Sequence, residues 1–203
     1  MPKIGQSGKR PAARSILGAG PLPALVRDRL AVALLDDGSE VLKPILVGQA
    51  PSRLTQERDG ADVEPEAFSG ISGARLAAFI GLRQNELLNR VVAINLLHRW
   101  PGRSVEKGDD FDVEAARISA AAILSHLVVN GPRVAILAGS QVLAAFSSAE
   151  PRLQGLEPLQ RRLVDRHTFV SLPHPSPVNR WWNRLANVRA ARLLLRELLG
   201  LER

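Results

Sequence analysis

Gln49, Asn95 and His174 are the residues whose types and placement could do chemistry. Each stands at the end of a short apolar run. Gly48-Gln49-Ala50-Pro51 follows Pro44-Ile45-Leu46-Val47, Asn95 closes Val91-Val92-Ala93-Ile94, and His174-Pro175-Ser176-Pro177 follows Thr168 to Leu172. A carboxamide presents a donor and an acceptor together, and a neutral imidazole does the same. Glycine and proline alone would serve a structural loop. Gln, Asn and His gathered at one edge would serve hydrogen-bonded recognition of a polar ligand. Taken singly, Asn95 also reads as a strand-end turn residue and His174 as a solvated loop residue.

Other chemistries are closed to the chain. It has no cysteine, which excludes disulfides, thiolate nucleophiles and Cys-held zinc or iron–sulfur clusters. The four histidines, at 98, 126, 167 and 174, show no close metal-ligand spacing. A net charge of +7 over 203 residues, carried mainly by arginine, favours a polyanionic partner such as nucleic acid. No apolar run is long enough to span a bilayer, and no signal core follows the basic start. A cytoplasmic, nucleoid-associated protein is expected, a monomer without cofactor.

The elements that must position these residues follow from periodicity and punctuation. The apolar fraction of the whole chain is 45%; residues 1–22 read as a basic arm rich in Gly, Pro and Ser, and 23–203 as one domain. Helical spacing occurs over 23–35, 72–81, 113–130, 139–146, 157–164 and 181–199. Short β-branched runs at 43–48, 91–94, 133–137 and 168–172 predict four buried strands. The polar stretch 51–67 and the segment 98–112 read as loops. Strands alternating with helices give a three-layer α/β domain with a small, parallel, four-stranded sheet. Ligands of such sheets sit beyond the carboxyl ends of the strands.

Four ordered motifs on these strand ends resemble the uracil-DNA glycosylase superfamily. Gly48-Gln49-Ala50-Pro51-Ser52 resembles its first motif, Gly-Gln-Asp-Pro-Tyr in the best known branch and Gly-Glu-Ala-Pro-Gly in the iron–sulfur branch. His174-Pro175-Ser176-Pro177-Val178 resembles its second, His-Pro-Ser-Pro-Leu. Phe68-Ser69-Gly70-Ile71-Ser72-Gly73 and Ile94-Asn95-Leu96-Leu97 are similar to further segments of the iron–sulfur branch, and Ala138-Gly139-Ser140 to a strand–Gly–helix junction. The cysteines of that branch are absent, and Ala50 stands where the best known branch has a water-activating Asp.

The resemblance implies a DNA glycosylase that flips a base, uracil first among them, and hydrolyses its N-glycosidic bond. It implies stacking of the base on Phe68, readout of its edge by Asn95, and main-chain contacts around Gly48, Gln49 and Ala50. His174 would hydrogen-bond the developing oxyanion of the leaving base. Ser52, Ser176, Val178, Asn179, Arg180 and Trp181 would contact DNA, with Val178 as an apolar wedge and one of Trp181 and Trp182 buried. Water activation is open among Asp59, Asp62, Glu64 and Glu66. Two other readings stand beside this one: a glycosylase for another modified base, and a DNA-binding protein of the same fold without catalysis. An α/β enzyme acting on a free nucleotide is a third, which the basic charge disfavours.

Overall fold

The computed structural model describes residues 42–60, 65–104, 108–109, 111–129 and 133–201. The expected basic arm, the helix at 23–35 and the turn at 36–39 lie outside the described residues. In chain order come β1 (Ile45–Gly48), α1 (Arg53–Asp59), α2 (Ile71–Ile80), α3 (Gln84–Leu88) and β2 (Val92–Asn95). Two-residue strands β3 (Arg103–Ser104) and β4 (Gly108–Asp109) precede α4 (Val113–Val129), β5 (Val134–Ala138) and α5 (Ser140–Ala149). The chain ends with β6 (Arg161–Val164), β7 (His167–Leu172), a 3-10 turn at Arg180–Asn183 and α6 (Leu185–Leu198).

The main sheet has the order β2-β1-β5-β7-β6. The first four strands are parallel, and β6 closes the edge antiparallel to β7. Alternation along the strands divides the core. Ile45, Val47, Leu137 and Phe169 pack on one face beneath Ala120, Ile123 and Leu127 of α4 and Val142 and Phe146 of α5. Leu46, Ile136 and Leu172 pack on the other beneath Leu76, Ala77 and Ile80 of α2 and Ala191 and Leu195 of α6. Both faces are covered, which is why these strands are continuous apolar runs. The three layers match the expected architecture.

The sheet has five strands rather than the expected four. Residues 161–164 were expected in a helix over 157–164 and form β6 instead. Arg161 and Leu163 are exposed and Val164 is buried, the pattern of an edge strand. Asp165 takes a positive φ of 54° and lets the chain reverse into β7, so hairpin pairing overrides the helical spacing. The polar stretch 51–67 holds helix α1, capped by the Ser52 hydroxyl on the Thr55 amide at 3.2 Å. The segment 98–112 holds the β3–β4 ribbon. The last helix starts at Leu185, because residues 180–183 wind as a 3-10 turn first.

Candidate functional site

The strand order reverses between β1 and β5: the chain leaves β1 toward β2 and then crosses back. A parallel sheet opens a crevice at the carboxyl ends beside such a point. Here Gln49 follows β1 and Gly139 follows β5. A Cβ on Gly139 would lie 2.9 Å from Gln49 Nε2 and 3.4 Å from the His174 Cβ. The φ of +122° at Gly139 also suits only glycine. Three strand ends therefore meet at van der Waals distance.

Gly48 pairs in register with Asn95 across β1 and β2. A Cβ on Gly48 would stand 2.6 Å from Asn95 Oδ1 and 3.0 Å from Phe68 Cε2. The missing side chain is what lets the amide and the aromatic ring close over the strand end. Phe68 itself holds a φ of 60°, a conformation that an aromatic residue rarely adopts. Its carbonyl accepts a hydrogen bond from Gln84 Nε2 at 2.5 Å, and the same nitrogen donates to the Gly70 carbonyl at 3.0 Å. The α2 start presses against that carbonyl so closely that a Cβ on Gly73 would lie 1.7 Å from it. The backbone of this strained residue is thus fixed from α2 and α3.

Gly48, Gln49, Phe68, Asn95 and His174 line one cavity of about 280 Å³, as does Ala50. Asn95 is 9% exposed, and its carboxamide has no hydrogen-bond partner among the described residues. The residue is largely buried, yet it lines the cavity, so its carboxamide faces that open space with both its donor and its acceptor uncommitted within the protein.

His174 is held on several sides. Its Nδ1 accepts from the Ser176 amide at 3.2 Å, which leaves the ring hydrogen on Nε2. Burial holds the imidazole below the usual histidine value, so the neutral donor form persists. The His174 carbonyl accepts from Asn179 Nδ2 at 2.9 Å and Trp182 Nε1 at 3.0 Å. Trp182 is 3% exposed and stacks on Phe79 at 4.7 Å. Arg75 of α2 donates to the Ser176 carbonyl at 2.7 Å. The same helix that fixes Phe68 therefore also grips the histidine loop.

The expected DNA-contacting residues fall into two groups. Val178 is 86% exposed at the loop tip and Arg180 is exposed beside it. Ser52, Ser176, Asn179 and Trp181 are engaged inside the protein. Ser52 caps α1, and Ser176 Oγ accepts from the Val178 amide. Asn179 Oδ1 accepts from the Trp181 amide while its Nδ2 clamps His174. Ser52 and Ser176 also line the cavity. Of the two tryptophans Trp182 is the buried one and Trp181 is half-buried. Among the acids, Asp59 is paired with Arg58, Glu66 lines the cavity, and Asp62 and Glu64 lie outside the described residues.

Gln84, Arg75 and Gln141 belong to the site's support or lining and carry no motif. The closely spaced Gly70 and Gly73 are the one sequence signal for Gln84, whose Nε2 would lie 3.0 Å from a Cβ on Gly73. Among the described residues no cluster of three His, Asp or Glu could hold a metal ion. No described helix is long and apolar enough to cross a membrane.

The family model described as Uracil DNA glycosylase superfamily matches residues 35–198. No curated protein matches the chain.

Proposed function

The chain belongs to the uracil DNA glycosylase superfamily, and from that premise we propose that it removes a flipped base, uracil first among them, from DNA. The observation that carries this reading is the unpaired Asn95 carboxamide, buried beside the Phe68 ring in a cavity that His174 also lines. The volume of about 280 Å³ lies just below the roughly 300–1,000 Å³ usual for drug-sized ligands, which suits one nucleobase.

In this reading the base stacks on Phe68 and offers its Watson–Crick edge to Asn95, an imide N–H to the amide oxygen and a carbonyl to the amide nitrogen. The bond from C1′ to the base nitrogen breaks and its electron pair stays with the base. Negative charge collects on the base oxygens, where the neutral Nε2–H of His174 stabilises it; such a preorganised donor is worth about 2.7–4 kcal/mol. Water adds to C1′ and gives up a proton, which neutralises the base anion through solvent, leaving an abasic sugar and a free base. Ala50 supplies no carboxylate for that water, and Glu66 is the described acid that lines the cavity. Val178 and Arg180, exposed on the histidine loop, serve as wedge and phosphate contact, and Ser52, Ser176 and Asn179 support the DNA-facing loops.

Ala50 also motivates the competing reading, a DNA-binding member of the fold without catalysis. One experiment separates them. Single- and double-stranded oligonucleotides carrying uracil, other deaminated bases or modified pyrimidines are incubated with the protein and cleaved with alkali. Strand breaks at uracil are expected. Breaks at another base alone would replace uracil as the substrate. Binding with no breaks on any substrate would leave the inactive reading.

A further inference from the structure

A second cavity, of about 300 Å³, lies against the first, and Gln49 and His174 line both. Its far walls are apolar: Leu143 of α5, Leu156, Pro158 and Trp181. Those walls are preformed. The Leu159 amide donates to the Ser171 carbonyl at 2.8 Å, and the Ser171 amide to the Gln160 carbonyl at 3.2 Å, which ties the 156–160 loop to β7. Trp181 meets Trp182 edge-on at 4.9 Å, and Trp182 is anchored to the His174 carbonyl.

Asn179 also lines the cavity with both ends of its amide bonded within the loop, and two other polar groups remain uncommitted. Ser171 is 7% exposed and lines this cavity, and its hydroxyl has no partner among the described residues. The start of α5 reaches the cavity at Ser140, and no side chain caps that helix end. An aromatic wall, aliphatic surroundings, a cavity-facing hydroxyl and uncapped amides suit a flat heteroaromatic group with carbonyl or ring-nitrogen acceptors.

We infer that the second cavity is a subsite for the nucleobase next to the flipped one on the same strand, stacked against Trp181 and hydrogen-bonded by Ser171. This rests on the reading of the first cavity as the seat of a flipped base. Gln49 and His174 border both cavities, and consecutive nucleotides are joined through one phosphate. A strand that places one base on Phe68 therefore carries the next past the His174 loop. Occupancy would make the protein sensitive to the presence of one neighbouring base, and stacking would make it tolerant of which base that is.

The probe is a set of short single-stranded oligonucleotides with one target base, in which a tetrahydrofuran abasic unit replaces each neighbouring nucleotide in turn. Equilibrium binding is measured first. For the wild type, loss of one neighbouring base weakens binding about tenfold, while more distant replacements do not. Leu143→Trp fills the cavity from a half-buried position and makes the affinity low and indifferent to that replacement. Should Leu143→Trp melt early, Pro158→Trp fills it from an exposed position. Ser171→Ala reduces the effect without abolishing it. No position effect in the wild type, an unchanged effect in the filled variant, or an effect seen in duplex DNA alone would each overturn the subsite. Excision is read separately on the same oligonucleotides. A position effect on binding without any excision would retain the subsite and sink the glycosylase reading. Excision without a position effect would do the reverse.

Discussion

Replacing Gly48 by alanine should damage the site while leaving the fold nearly intact. Gly48 does not have a positive φ, so alanine meets no backbone strain there. All of the effect comes from its methyl group. That carbon would stand 2.6 Å from Asn95 Oδ1 and 3.0 Å from Phe68 Cε2, against an ordinary contact beginning near 3.4 Å. The amide oxygen must retreat by about 0.8 Å and the ring by about 0.4 Å. Both border the open cavity and can move into it, so the stability loss should fall at the low end of overpacking, about 1 kcal/mol. Phe68 cannot follow freely, because its carbonyl is bonded to Gln84 and abutted by Gly73. A misplacement near 1 Å costs on the order of 10² in rate when reacting groups must be aligned. Single-turnover excision on a uracil-containing oligonucleotide measures this, with thermal unfolding as the control. A variant that excises at the wild-type rate would refute the geometry assigned to Gly48, Asn95 and Phe68.

Four further outcomes are expected. His174→Ala should slow single-turnover excision by a factor on the order of 10²–10³ with little change in DNA affinity, since the donor acts mainly in the transition state; a wild-type rate in a normally folded variant would remove His174 from the chemistry. Burial depresses the folded pKa of His126, His167 and His174, so the unfolded chain takes up protons first and stability should fall as pH drops below about 6.5, levelling once the folded histidines also protonate. Melting temperatures over that range should fall less steeply in His174→Ala, and identical slopes would contradict a buried neutral His174. Asn95→Asp should lower or alter base selectivity in the lesion panel, because a carboxylate accepts but does not donate. DNA affinity should weaken steeply as salt is raised, with a linear log–log slope, and a flat response would count against phosphate tracking by the arginine-rich surface.

Much of the site was legible because its motif residues end buried strands. The apolar runs before Gly48, Asn95 and His174 announced strands, and the punctuation after them announced loops at one edge. The cavity is lined by the strand-end residues Gly48, Gln49, Ala50, Asn95 and His174 together with Phe68, which ends no strand and was legible only through the resemblance. What escaped was support supplied from afar. Arg75 grips the Ser176 carbonyl across the fold, and Gln84 holds Phe68 from a five-residue helix too short to show periodicity. Edge strand β6 escaped for another reason: it is polar, half-exposed and defined by its pairing with β7, so local spacing suggested a helix. Asn179 shows the limit of reading a loop residue by its type. Its amide could serve DNA, yet both of its ends are bonded within the loop.

The in-register pairing of Gly48 with Asn95 also bears on how the chain folds. All of α1, α2 and α3 intervene between the two residues, so their meeting is a non-local event. Parallel pairing across so long a crossover must close a large loop before any contact rewards it, and such steps come late and slowly. Recognition is therefore not stored in any contiguous fragment. A nascent chain that has emerged only as far as α3 carries the first motif without the amide that completes it. The pocket arrives with the cooperative condensation of the β1–β2 half of the sheet. Amide hydrogen exchange at β2 should accordingly report on the same opening event that dissolves the binding site.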